Sequence, residues 1–310
     1  MLLYRMAIDS EYRSGFVALA GRPNVGKSTL VNWLIGEKVA ITSPTAQTTR
    51  NRLQAILTTP SAQIVLVDTP GIHKPHHLLG KRLVNSTYSI ISEVDLVLLL
   101  FDGSVVPGRG DAFIVDLLSR QSLPVLVAIN KWDQVGTGSA ASTVLMLYRK
   151  LLNGIDWPLM HCSALKGDGC DELVTTITHR LPTGPQLYPP EMISDQPKRL
   201  FLAELLREQV LLHTREEVPH SVAVNIDRLE EMLGRHGSQN CTAVFATIFV
   251  ERRSQKGILI GRAGSMLGTI GKAARSQMQK LIAAPVYLKL FVKVVPDWRS
   301  KSVQLDELGY

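Results

Sequence analysis

Gly21-Arg-Pro-Asn-Val-Gly26-Lys27-Ser28 sets two glycines five residues apart and follows the second with a lysine and a hydroxyl. It lies between an apolar run at 16–20 and a helical pattern at 29–35. In that strand–loop–helix setting, GxxxxGK[ST] lets backbone N–H groups close around a phosphate, and the helix N-terminus adds positive potential. Lys27 is placed to reach the β- and γ-phosphates of a nucleoside triphosphate, and the Ser28 hydroxyl to bind Mg²⁺. Gly21, Arg22, Pro23, Asn24, Val25, Gly26, Lys27 and Ser28 therefore form a candidate phosphate site.

Three further motifs follow apolar runs. Asp68-Thr69-Pro70-Gly71 ends the run at 64–67. A carboxylate there can hold a Mg²⁺-bound water and the Gly71 amide can reach a γ-phosphate, so Thr69, Pro70 and Ile72 join the candidate site. Asn130-Lys131-Trp132-Asp133 ends the run at 125–129. The Asp133 carboxylate can accept from N1–H and from the exocyclic amine of guanine. Adenine offers neither donor there, and a buried unpaired carboxylate is costly, so the motif selects GTP and GDP over ATP. The Lys131 stem would cover one face of the base and Asn130 would brace the loop. In Cys162-Ser163-Ala164, Ser163 and Ala164 would offer a backbone N–H to the guanine oxygen. Between the first two motifs, Gln47-Thr48-Thr49-Arg50 holds a threonine able to complete a Mg²⁺ shell while a γ-phosphate is present, with Thr49 favoured over Thr48. Lys27, Thr49, Asp68 and Gly71 are thus the candidate catalytic groups, and Ser28 and Thr49 the candidate Mg²⁺ ligands.

These loops need rigid strands behind them. Apolar runs at 16–20, 64–67, 96–101, 125–129 and 159–162 alternate with amphipathic stretches, the pattern of a mostly parallel sheet covered on both faces. Four prolines between 181 and 190 then forbid continuous helix or central strand. Beyond them the reading is helix (200–213), strand (221–226), strand (243–250), a helix–turn–helix (257–282) and an alternating strand (286–294). The expected fold is an α/β P-loop domain at 13–182, a linker at 183–198 and an α+β domain at 199–300.

Hydrophobic residues make up 45% of the 310, enough for two buried cores, and the three cysteines show no CxxC spacing for zinc or disulfides. Residues 1–14 carry Arg5, Asp9, Glu11 and Arg13 and lack a signal-peptide core, and no apolar run approaches the ~20 residues of a membrane span. The charge is uneven. Residues 251–301 hold eleven Lys or Arg against two acids, a local +9 in a chain of +7. Such a segment points to a polyanion, nucleic acid first and acidic lipid second. Inside it, Gly261-Arg262-Ala263-Gly264 is a GxxG turn between two helical patterns. In a KH domain that turn lets a sugar-phosphate backbone approach closely, with bases against an apolar groove, here expected from Ile258, Ile260 and Ile270.

The set GRPNVGKS, QTTR, DTPGI, NKWD and CSA resembles the translation-factor-related GTPases. Joined to a type II KH pattern, with FVERRSQKGILIG and VKVVPDW, it resembles the Era family over nearly the whole chain. The resemblance implies a monomeric cytoplasmic GTPase of small-ribosomal-subunit assembly. It also implies a KH domain that binds near the 3′ end of 16S-type ribosomal RNA through Gly261, Arg262, Ala263 and Gly264, and in some cases peripheral membrane contact. In similar GTPases an asparagine at the place of Asn24 helps hold K⁺ against the phosphates. Arg50 is an alternative source of charge. Two departures stand out: Ile72 replaces the water-orienting glutamine of many small GTPases, and Ala263 lies where relatives often carry lysine. Two other functions fit the same residues: an RNA clamp with vestigial hydrolysis, and a GTPase that works on an anionic membrane surface.

Overall fold

The computed structural model describes residues 12–45, 48–71, 77–232 and 241–310. They divide into two compact units. The first comprises residues 12–40, 49–71 and 83–195; the second comprises 41–45, 48, 77–82, 196–232 and 241–310.

In the first unit, β1 (Arg13–Gly21), α1 (Lys27–Ile35), β2 (Leu53–Thr58), β3 (Ala62–Asp68), α2 (Leu78–Ser92), β4 (Leu96–Asp102), α3 (Arg109–Ser119), β5 (Val125–Asn130), α4 (Ser139–Leu151), β6 (Leu159–His161) and α5 (Cys170–Arg180) follow in order. The start of α2 belongs to the second unit. The sheet order is β2-β3-β1-β4-β5-β6, parallel except for β2, which runs antiparallel to β3. Strands β3, β4 and β5 are buried at every position, because helices cover both faces. One core, around Leu19, Leu30, Leu66 and Leu98, lies under α1 and α5; another, around Val67, Leu99, Phe101 and Tyr148, lies on the opposite face. The parallel register brings the C-terminal ends of β1, β3, β4 and β5 to one edge, where loops bind ligands in open α/β sheets.

The second unit contains α6 (Lys198–His213), α7 (Val218–Ser221), β7 (Ala223–Met232), β8 (Cys241–Val250), α8 (Arg253–Ile260), α9 (Ser265–Ile282), β9 (Val286–Val294) and α10 (Ser302–Glu307). Its sheet is β7-β8-β9, with β7 antiparallel and β9 parallel to β8. Helices α6, α8 and α9 cover one face over a core that includes Leu202, Val244, Ile248 and Ile270. Helix α6 is buried on its polar side as well. Ile41 joins the unit's core, Glu208 accepts from the Thr42 N–H at 2.8 Å, and Arg207, paired with Glu204, donates to the Thr48 carbonyl. Helix α8 begins earlier than the periodicity suggests. The Gln255 Oε1 accepts from the N–H groups of Glu251 and Arg252 and closes its first turn from the side.

Candidate nucleotide site and nucleic-acid interface

Gly21 and Gly26 have positive φ (150° and 99°), and an added Cβ would fall 2.6 Å from the Leu100 carbonyl or 2.2 Å from Asn130 Nδ2. The loop between β1 and α1 therefore needs glycine at both ends. Lys27, the first residue of α1, is buried. The Lys27 Nζ meets the Gly21 and Arg22 carbonyls at only 3.5 and 3.3 Å, long contacts for an ammonium. Burial holds the Lys27 ammonium below its ordinary value, against the attraction of Asp68. Arg22 is tied down by Asp111 at 2.7 Å, and Asp111 also accepts from the Gly108 N–H at the start of α3.

Ser28, Thr49 and Asp68 converge. Ser28 Oγ donates to Asp68 Oδ2 at 2.7 Å, Thr49 Oγ1 donates to the same oxygen at 3.0 Å, and the two hydroxyls are 3.0 Å apart. Thr48 does not share this cluster. Its hydroxyl bonds to the Thr45 carbonyl at 2.7 Å and to Ser43 Oγ at 2.8 Å. Asp68 is fully buried, and burial raises its carboxyl above the usual value against Lys27 and the two hydroxyls. Its Oδ1 has no partner among the described residues. A buried carboxylate oxygen left unmatched beside two hydroxyls suits Mg²⁺, a hard cation that prefers oxygen. Gly71 packs so closely on the phosphate loop that a Cβ would lie 2.8 Å from the Pro23 nitrogen. Thr69 donates to the Leu19 carbonyl at 2.7 Å, so only its main chain is open to a ligand.

Asn130 joins the phosphate loop to the base-reading loops. Its Nδ2 donates to the Val25 carbonyl at 2.8 Å and its Oδ1 accepts from the Ala164 N–H at 2.9 Å. Asp133 accepts from Ser163 Oγ at 2.6 Å, which aims the carboxylate and leaves its second oxygen for another donor. Lys131 takes a left-handed turn (φ 61°) and pairs with Asp102 at 2.5 Å. Burial tends to raise Asp102, but the bonds from Lys131 and Ser104 outweigh it and hold the carboxyl below its ordinary value.

In the second unit, the GxxG turn joins α8 to α9. Gly261, Ala263 and Gly264 all have positive φ (72°, 50° and 81°), and Arg262 and Ala263 are exposed. A Cβ on Gly261 would lie 2.8 Å from Met266, whereas Gly264 faces open space.

A 50S ribosome-binding GTPase profile matches residues 16–131 and a KH domain profile matches residues 217–299. GTPase Era of Synechocystis sp. is 56% identical over 96% of this chain and 93% of its own length; that of Nostoc sp. is 54% identical over 97% and 90%. The chain belongs to the Era family of GTPases. A crystal structure of Era in complex with MgGDPNP and nucleotides 1506–1542 of 16S ribosomal RNA superposes with a TM-score of 0.91 at 40% identity, covering 96% of this chain and 99% of that one. An Aquifex aeolicus Era variant bound to GDP and AlF4⁻ gives 0.89 at 39%, with the same coverage.

Against the sequence reading, this Era-family chain differs at several places. Ile270 is buried in the second unit's core, not in a groove, because it faces the sheet from α9; Ile258 is 46% exposed. Ile72 and Gln47 lie outside the described residues. Arg50 is buried. Asp111 and Asp102 lie outside the sequence motifs. Asp102 ends an apolar strand as Asp68 does, so its position carried a signal; Asp111, 89 residues from Arg22, carried none.

Proposed function

We propose that this chain is a GTP-hydrolysing switch that binds the 3′ region of small-subunit ribosomal RNA through its KH unit and acts in small-subunit assembly. The 13–182 region serves as GTPase domain, 183–198 as linker and 199–300 as RNA-binding domain, and the protein works as a cytoplasmic monomer. One observation carries the reading. A complete guanine-nucleotide set stands on one sheet edge, in a chain whose basic segment also presents a GxxG turn. Asp133 takes the guanine donors, and Lys131 and the Ser163–Ala164 backbone flank the base. The backbone from Gly21 to Ser28 and from Asp68 to Gly71 encloses the phosphates, and Lys27 places its charge at the β–γ bridge. Ser28, Thr49 and Asp68 would hold Mg²⁺, which would supply positive charge to offset the charge that develops on GDP. The Gly71 amide registers the γ-phosphate. Thr49 would lose its metal partner when phosphate departs, which would release the loop at residues 48–49. Asn24 would hold K⁺ at the phosphates.

The RNA half is tested with Gly264→Asp, alone and with Gly261→Asp, and the 16S segment 1506–1542 as ligand. Position 264 has open space but a left-handed φ of 81°, so the single variant meets no neighbour and adds its charge at some cost in backbone strain, which the circular dichroism spectrum checks. RNA binding should be lost while GTP affinity and the circular dichroism spectrum persist. Full RNA affinity in the folded variant rejects the KH reading. GTP turnover measured with and without the segment tests the switch, and unchanged turnover would favour a clamp.

A further inference from the structure

The sheet β7-β8-β9 has a second face that none of this unit's described helices covers. Along β8 and β9 the inward positions Val244, Ala246, Ile248, Leu288, Leu290 and Val292 are aliphatic and pack under the helices. The outward positions are of a different kind. Phe245 and Phe249 on β8 alternate with Thr247, while β9 turns out Tyr287, Lys289, Phe291 and Lys293. Tyr287 and Phe291 are 51% and 49% exposed. Three of the chain's seven phenylalanines therefore stand on this one face, outside every core, although the inward positions show that aliphatics build these strands well.

The register makes a checkerboard. Phe245 lies opposite Lys289, and Phe249 opposite Lys293. Arg228 of β7 lies opposite Phe245, its guanidinium 4.4 Å from the ring centre. Lys289 Nζ is 5.4 Å from the Phe291 ring and Lys293 Nζ is 5.9 Å from that of Phe249. Arg228 also has Glu230 at 3.4 Å, and Asp227 is engaged by Thr247 and Asn225. Lys289 and Lys293 take part in no ion pair among the described residues.

We infer that this outer face is a second RNA-contact surface, which seats unpaired bases on Tyr287, Phe291 and Phe249 and phosphates on Lys289 and Lys293. The inference rests on the RNA-binding reading above and extends it to the side of the sheet opposite α8, α9 and the GxxG turn. Its chemistry is that of single-strand platforms, in which rings accept any base by stacking and cations follow the backbone. The alternation favours RNA over a protein partner, because lysine is depleted from the cores of protein interfaces. Rings and unpaired cations two residues apart, about 7 Å along a strand, offer both recognition elements side by side.

The test uses the full chain with two double variants, Tyr287→Ala with Phe291→Ala and Lys289→Gln with Lys293→Gln. All four side chains are exposed or nearly so, and GTP affinity and circular dichroism check the fold. Binding to the 16S segment 1506–1542 is followed by fluorescence anisotropy across a salt series, and ultraviolet cross-links are mapped to peptides. The ring variant, which removes two stacking platforms, should weaken binding by at least about 30-fold. The lysine variant should flatten the log–log salt dependence by about 1.4, since each phosphate contact on a single strand contributes about 0.7. Cross-links should fall on the β9 peptide as well as near Gly261. Unchanged affinity and salt slope, with cross-links only near the GxxG turn and binding still lost in Gly264→Asp, would overturn this inference and leave the KH reading intact. Failure of the unmodified chain to bind the segment would overturn both. Variants that bind both the segment and protein-free 16S ribosomal RNA as the unmodified chain does, yet associate more weakly with intact small subunits, would make the occupant a protein and reject RNA.

Discussion

Replacing Asn130 by alanine should weaken GTP and GDP equally and loosen the fold of the first unit. Asn130 is 2% exposed, and its amide bridges the phosphate loop and the loop of Ala164. Removing it strands the Val25 carbonyl and the Ala164 N–H, in residues 1% and 3% exposed. Each buried group left without a partner costs about 1–3 kcal/mol, so the pair costs about 2–6 kcal/mol. Some relaxation toward the space left beside Gly26 moves the expected value to the low end. About 2 kcal/mol is a ~30-fold loss of affinity if it falls on binding, or several degrees of melting temperature if it falls on the free protein. Asn130→Asp keeps the acceptor for Ala164 and loses the donor to Val25, so it should show an intermediate effect. Equilibrium titration with fluorescent GDP and a GTP analogue, beside calorimetric melting, reads both parts. Affinity within twofold of the unmodified chain together with an unchanged melting temperature would refute the bridging role.

Asp133→Asn should lose guanine selectivity and gain xanthine nucleotides in competition binding; retained GTP preference removes Asp133 from the base site. GTP turnover should be faster in K⁺ than in Na⁺ at equal ionic strength, and Asn24→Ala should erase the difference; equal rates with the RNA segment present would return attention to Arg50 or to a partner's charge. Ala263→Lys should tighten RNA binding and steepen its salt dependence by about 0.7, as one added phosphate contact requires; Ala263 already holds a left-handed φ, so the backbone need not change. Burial acts to raise Glu251, but its bonds to Arg299, at 2.6 and 3.1 Å, hold the carboxyl below its ordinary value. A depressed carboxylate stabilises the fold above its unfolded value, near 4.5, and that stability disappears as pH falls through the lower folded value. Urea unfolding at about pH 6 and about pH 3.5 should show this loss, and Arg299→Gln should shrink it; an identical pH dependence in the variant would discount the pair.

The nucleotide motifs were legible because each is a run of adjacent residues whose chemistry is local. Of the two adjacent threonines the sequence reading favours Thr49, and the structure puts its hydroxyl beside Ser28 and Asp68. What escaped depends on partners far along the chain. Strand β2 reads as an ordinary apolar stretch until β3 pairs with it antiparallel. Asp111 looks like any early-helix acid until Arg22 reaches it. Ile270 was misplaced because helical spacing does not tell which way α9 is rotated over its sheet.

The interleaving of the two units along the chain has a consequence for biosynthesis. Residues 41–45 and 48 belong to the second unit, and the Thr42 N–H finds Glu208 166 residues downstream. At ~5–20 residues per second, a ribosome needs on the order of 10–30 s to make α6 after that segment has emerged. Until then Ile41 has no core to enter, and the stretch that leads into Thr49 is unanchored on one side. The nascent first unit can therefore complete its sheet well before residues 41–45 find the core to which they belong. A chain cut at the proline-rich connection would remain in that unfinished state.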